Sequence, residues 1–308
     1  MKRTDDFELL KSSIKTKDLP SDYNYQLDKK KKNLILTVRE KGLKANMQDN
    51  ESAFESWAIV LKFYCSELIK TVTIDWEDFP ANGNNKLHYN RFIYRLTKFI
   101  QTYDWAHSAK PIPDIPSVLV CNIPNGEAAT ADKHSIGSEG WIECMFVEKH
   151  HKDYDAINHQ LPVGIFYDKV GRSNYYATGG KSAIDIWAIK NNVLNIFELK
   201  KPGNNVLGII SELMFYSNIF NDILSHRIFY QENTKMKKII GSNIRGFGDL
   251  YEAYQTGYIQ NINGIMLTYS MHPLITQDLV DFINKSGRLN FCRIQYSIKK
   301  ADIQIPKQ

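Results

Sequence analysis

The chain is predicted to be an α/β protein, and three observations predict it. Segments with strand-like and helix-like patterning alternate along the second half, in the order helix, three strands, helix, strand, helix, strand. Two of the apolar runs, 183–190 and 193–201, flank an Asn191-Asn192 pair of the kind that closes a hairpin. With 308 residues, 43% of them hydrophobic and 24% charged, the chain is long and apolar enough for a real core.

A smaller α/β region opens the chain. "LILTVRE" (34–40) has strand character, and "NESAFESWAIVLKFY" (50–64) reads as a helix with Ser52 and Glu55 at capping-box spacing. "KTVTIDW" (70–76) alternates as a strand, and "KLHYNRFIYRLTKFIQTYDW" (86–105) is a second amphipathic helix. The tetralysine in "DKKKKN" (28–33) is read as a turn or disordered stretch, and no internal repeat is found. Three prolines in "SAKPIPDIPS" (108–117) predict an extended seam between a region 1–110, expected to serve substrate recognition or regulation, and a domain 118–308.

Beyond the seam, 137–152 is helix-like, with Trp141, Ile142, Met145 and Phe146 on one side. Strands are expected at "VGIFYDKV" (163–170), 183–190 and 193–201. The apolar segment 206–224 reads as a long helix, 264–270 as a strand, 276–287 as a helix closed by Gly287, and 289–298 as a last strand.

Composition narrows the function without naming it. No apolar run reaches the eighteen or so residues of a membrane span, and the start "MKRTDDFELLKSS" lacks the apolar stretch of a signal peptide. Cys65, Cys121, Cys144 and Cys292 show no CxxC spacing, which argues against a zinc ribbon or disulfide framework and suits a reducing cytoplasm. The net charge of +5 is compatible with a polyanionic partner. His150, His151 and His159 lack zinc-ligand spacing and are expected on the surface. No P-loop, dinucleotide fingerprint or Ser–His–Asp pattern is present.

The informative feature is a carboxylate inside each of the two central runs. A two-residue turn pairs Lys190 with Val193, so Asp185 falls opposite Glu198, with Cβ atoms about 5 Å apart. At an effective dielectric near 20, two carboxylates at that distance repel by roughly 3 kcal/mol, so a cation or proton must offset them. Lys200 shares the face of Glu198, while Phe197 and Leu199 point to the other layer. Two acids and an amine on an apolar sheet suit metal-assisted phosphodiester cleavage, in which Mg²⁺ binds through one or two carboxylates. The bland alternative is an ordinary cross-strand acid–lysine pair on a wetted face.

Asp185, twelve intervening residues and Glu198-Leu199-Lys200 resemble the PD-(D/E)XK nuclease superfamily, as does the segment order over about 135–298. The resemblance implies a restriction-endonuclease-like core, a mixed β-sheet flanked by helices in α-β-β-β-α-β order. It also implies that Asp185, Glu198 and the Leu199 carbonyl hold Mg²⁺, for which Mn²⁺ can substitute, with Lys200 as the catalytic lysine. Glu139, with Glu143 second, would be the acid on the preceding helix. Glu212 and Tyr216 resemble the QxxxY element of one branch, with glutamate in place of glutamine, and Ile184 stands where the motif name has proline. The implied activity is a magnesium-dependent nuclease acting on DNA rather than RNA, in a setting such as defence against foreign DNA, acting as a homodimer or with an accessory protein. A non-cutting nucleic-acid-binding protein on the same scaffold, or an RNA-cleaving enzyme, are the alternatives. Arg91, Arg95 and Lys98 at helical spacing, and Lys237, Lys238 and Arg245 in a basic loop 233–246, are candidate nucleic-acid contacts, though a solvated amphipathic face is the simpler reading of the first three.

Overall fold

The computed structural model describes residues 5–14, 19–80, 82–179 and 182–305. In chain order the first elements are α1 (Asp5–Ile14), β1 (Tyr23–Asp28), β2 (Asn33–Val38), α2 (Glu40–Lys44), α3 (Phe54–Tyr64), β3 (Thr71–Trp76), α4 (Gly83–Thr102) and β4 (Ala106–Ser108). Then follow β5 (Leu119–Cys121), α5 (Glu139–His150), β6 (Ala156–Pro162), β7 (Ile165–Phe166), β8 (Ala183–Lys190), β9 (Val193–Lys200) and α6 (Ile209–Leu224). The remainder is β10 (Ile228–Tyr230), α7 (Thr234–Gly241), α8 (Phe247–Gln255), β11 (Asn261–Thr268), α9 (Gln277–Asn284), β12 (Phe291–Gln295), β13 (Ser297–Lys299) and β14 (Asp302–Gln304). The class is mixed α/β.

Two units divide the chain. The first takes Met1–Ile115, Val206–Glu212 and Pro273–Arg288; the second takes Pro116–Asn205, Leu213–His272 and Leu289–Gln308. The proline segment thus carries one boundary, but the first unit also draws on two later stretches, one of which contains α9.

In the first unit, β1 to β4 form one sheet in sequence order, antiparallel between β1 and β2 and parallel thereafter. The tetralysine is the tip of the β1–β2 hairpin, where the Asp28 carboxylate accepts from the Lys30 and Lys31 N–H groups. Two expectations fail here, for one reason. Ser52 and Glu55 do not form a capping box; Ala53 precedes α3 without any side-chain cap. Both instead bind Arg95, whose Nε donates to Glu55 Oε1 at 2.7 Å and whose Nη1 donates to Ser52 Oγ at 3.1 Å. The stripe Arg91, Arg95 and Lys98 is therefore not a solvent-facing basic surface. Arg95 is 3% exposed and Lys98 8%. Arg91 donates to the Ala45 carbonyl at 2.6 Å, just past the end of α2. Helical spacing aligned the three cations, but α4 turns them toward the protein and its carbonyls.

In the second unit the main sheet runs β12-β11-β9-β8-β6. β6, β8 and β9 are an antiparallel meander, and β11 is parallel to both β9 and β12. Trp141, Ile142 and Phe146 of α5 pack with Ile186, Ala188, Phe197, Leu199, Ile265 and Leu267 of the sheet in one buried cluster. Each fully buried Ile, Leu or Phe among them contributes roughly 1.5–3 kcal/mol. Ser138 caps α5, accepting from the Trp141 N–H at 3.4 Å. The strand expected over 163–170 is reduced to Ile165–Phe166 in a separate sheet, β10-β5-β7. The meander's first strand is the edge strand β6, whose sequence "AINHQLP" is too polar to announce itself. The expected loop at 233–246 begins instead with the helix α7, capped by the Asn233 side chain. Past α7 the chain turns through Asn243, Arg245 and Gly246 at positive φ. At Gly246 a Cβ would stand 2.8 Å from the Trp187 ring, so the turn can lie against β8 only without one.

Candidate active site

Asn191 and Asn192 close the β8–β9 hairpin with φ of 50° and 61°, the left-handed pair of a two-residue turn. That turn fixes Lys190 opposite Val193, the register read from the sequence. The ladder ends at Ile186–Phe197, one pair short of Asp185 and Glu198. There the strands part, and the Leu199 N–H donates to Asp185 Oδ2 at 2.8 Å.

β9 is central, paired with β8 on one side and β11 on the other, and its polar side chains Asn195, Glu198 and Lys200 are buried. Lys200 Nζ donates to Glu198 Oε1 at 2.7 Å, and both side chains are about 95% buried, at 4% and 5% exposure. The other carboxylate oxygen, Glu198 Oε2, is buried without a hydrogen-bond partner among the described residues. An unpartnered buried acceptor costs about 1–3 kcal/mol, more when charged. Burial pushes the Asp185 carboxyl well above the usual carboxylate range, reinforced by the charges of Glu198 and Glu143 and opposed by Lys200 and the Leu199 N–H. Tyr296 anchors the strand end, its hydroxyl donating to the Lys200 carbonyl at 3.1 Å.

The third acid of this neighbourhood is Glu143. It is buried on α5 and accepts from Gln160 Nε2 at 2.8 Å, with His159 Nδ1 at 3.4 Å from the same oxygen. Glu139 lies a turn earlier, and its charge reaches Tyr296. Gln160 faces the Asp185 position, in the gap between the pairs His159–Ile186 and Leu161–Ile184. Its backbone is left-handed, with φ of 55°. Strain at a bulky residue marks positions held by their surroundings. Here Arg245 holds it, donating from Nη1 to the Gln160 carbonyl at 2.7 Å and from Nε to the Gly126 carbonyl at 2.8 Å.

Several expectations change accordingly. His159 is not a surface histidine but is 12% exposed beside Glu143. Its place, and that of Gln160, follow from β6 being a strand, which sets both next to the Asp185 register. Arg245 is committed to main-chain carbonyls, whereas Lys237 and Lys238 are exposed on α7. Glu212 and Tyr216 are both buried on α6, but Glu212 belongs to the first unit and Tyr216 to the second.

Among the described residues, no three His, Cys, Asp or Glu side chains converge into a metal-binding group. The chemistry of the donors nonetheless suits a hard divalent cation. Among the described residues Glu198 Oε2 is unpartnered, Asp185 carries a charge its surroundings disfavour, and both side chains offer oxygen ligands.

No family model, curated protein or solved structure matches the chain. No helix among the described residues is long and apolar enough to cross a membrane.

Proposed function

We propose that the second unit is a metal-dependent nuclease of the PD-(D/E)XK type. The observation that carries this is the buried Glu198–Lys200 pair with Glu198 Oε2 unpartnered, beside Asp185 where the hairpin opens. The order α5, meander β6-β8-β9, α6, then β11 parallel to β9 supports a restriction-endonuclease-like core.

Asp185 and Glu198, with the Leu199 carbonyl, would hold Mg²⁺ or Mn²⁺. Bound there, the ion supplies Lewis-acid stabilisation of phosphate charge and an acidified water. The Lys200 ammonium, held by Glu198 at 2.7 Å, is fixed where it can donate a hydrogen bond to an attacking water or to the phosphate. Leu199 N–H fixes one Asp185 oxygen, leaving the other to face a ligand. Glu143, held by Gln160, adds negative charge near Asp185 and so raises the demand for a cation. The exposed Lys237 and Lys238 would add attraction for a phosphate backbone. By resemblance alone the substrate is DNA, the compartment the cytoplasm and the setting defence against foreign DNA.

A non-cutting nucleic-acid-binding scaffold is the second reading, favoured by the absence of three converging ligands among the described residues. Incubating wild type and Lys200→Ala with plasmid, linear DNA and RNA, in Mg²⁺ or EDTA, separates the two. Cleavage that requires Mg²⁺ and falls at least about a hundredfold in the variant is expected. Degradation matched by the variant would remove the proposal.

A further inference from the structure

A cavity of about 360 Å³ lies in the second unit on the small sheet β10-β5-β7, lined by residues of 121–125, 166–175 and 231–235. Its size is that of a small-molecule site.

The lining has an unusual chemical bias. Three of its amide side chains have their oxygen already engaged by a main-chain N–H. Asn122 Oδ1 accepts from Gly164 at 2.7 Å, Gln231 Oε1 from Val170 at 3.3 Å, and Asn233 Oδ1 from Met236 at 2.9 Å. With one lone pair of each oxygen used, the NH₂ groups are the freer part of these amides. Arg172 and Lys235 also line the cavity, are exposed, and make no ion pair or hydrogen bond among the described residues. No carboxylate is among the lining residues. Asn233 and Lys235 additionally belong to the N-cap and first turn of α7, the positive end of its dipole. With Asn125 and the Tyr175 hydroxyl able to act either way, the polar lining is rich in donors and favours an occupant that accepts.

The remaining surface is aromatic and apolar. Phe166 and Tyr175 are in contact, with ring centroids 5.1 Å apart, and Ile123 and Val170 complete the wall. Cys121 at the floor is buried and its thiol is pushed up to about 12, so it adds no negative charge. A simple anion would leave this surface unused; a neutral apolar ligand would leave two cations and three amides unpaired.

We propose that this cavity binds a nucleoside phosphate, its phosphate on Arg172 and Lys235 and its base against Tyr175. The ligand is either a free nucleotide or one residue of a nucleic-acid strand. In the second case the site deepens the nuclease reading by naming a strand-holding subsite; in the first it stands apart from that reading.

The test is calorimetric titration of the full chain in EDTA, which keeps the divalent-ion chemistry silent. The probes are inorganic phosphate, adenosine monophosphate and a short oligothymidylate. Saturation at one site per chain by the nucleotide or the oligonucleotide is expected. Affinity should fall at least tenfold in Arg172→Ala/Lys235→Ala, two exposed substitutions whose folding is checked by circular dichroism, and return in Arg172→Lys/Lys235→Arg. Tyr175→Ala should weaken adenosine monophosphate and leave inorganic phosphate unchanged. Oligothymidylate binding alone assigns the ligand to a strand, and nucleotide binding alone to a free effector; either supports the site. No saturable binding of either, or unchanged affinity in the double variant, overturns it. Phosphate binding as tightly as the nucleotide overturns the base subsite. Because the titration is run in EDTA, without the divalent ion that cleavage requires, its outcome is read separately from failure of the nuclease reading.

Discussion

Asp185 Oδ2 accepts the Leu199 N–H at 2.8 Å across the open end of the β8–β9 hairpin. This bond fixes one oxygen of a carboxylate whose burial, and whose neighbours Glu198 and Glu143, disfavour its charge. The folded-state value is raised above the unfolded one. Its contribution to stability is therefore complete below the ordinary carboxylate range, about 3.9, and is lost as pH rises through the raised value. Denaturant titrations in EDTA across pH 4 to 8 should show wild type losing stability relative to Asp185→Asn. The variant, whose amide oxygen can still accept from Leu199, should melt higher at pH 8, and the gap should close toward pH 4. A gap of opposite sign would mean that the carboxylate is stabilised where it stands.

Breaking the Glu198–Lys200 pair should be costly to the fold. Glu198→Gln leaves the Lys200 ammonium buried without its carboxylate, at 4% side-chain exposure. Removing one partner of such a pair costs about 3–5 kcal/mol, while replacing both by apolar groups of similar size is close to neutral. Urea denaturation of E198Q, K200M and E198L/K200M should show both singles markedly less stable than the double.

Gln160 is expected to matter through Glu143. Gln160→Ala removes the 2.8 Å bond and keeps the left-handed strain, whereas Gln160→Gly removes the bond and relieves the φ of 55°. Cleavage should fall by about tenfold in both, the size of one lost hydrogen bond to a charged group. The glycine variant should be the more stable of the two in thermal melts. Equal stability would show that the backbone at this position carries no strain.

The basic residues separate into two kinds. Lys237→Ala/Lys238→Ala should flatten the slope of log affinity for DNA against log salt by up to about 2, near 0.9 per phosphate contact. Arg95→Ala should leave that slope alone, yet destabilise the first unit by about 3–5 kcal/mol, because Glu55 is left buried and unpaired.

Much of the central hairpin was legible in the sequence because its signals are local. Two apolar runs and two asparagines that tolerate positive φ define the turn and the register together, though the ladder ends at Ile186–Phe197, one pair before Asp185 and Glu198. The edge strand β6 was not legible, since "AINHQLP" has no alternation to read and is half-buried over most of its length. His159 and Gln160 were hidden with it. Helical spacing put Arg91, Arg95 and Lys98 on one face of α4 but could not say that Glu55, forty positions earlier, waits on that face. On α5 periodicity allowed either glutamate, and only packing sets Glu143 against Gln160.

Electron paramagnetic resonance of Mn²⁺ added to the full chain tests most directly whether Asp185 and Glu198 grip a divalent ion. Wild type should take up Mn²⁺ at a saturable site that Mg²⁺ displaces, and Asp185→Asn should abolish that uptake while remaining folded. Mn²⁺ that stays free with wild type, or is held equally by Asp185→Asn, would contradict the account.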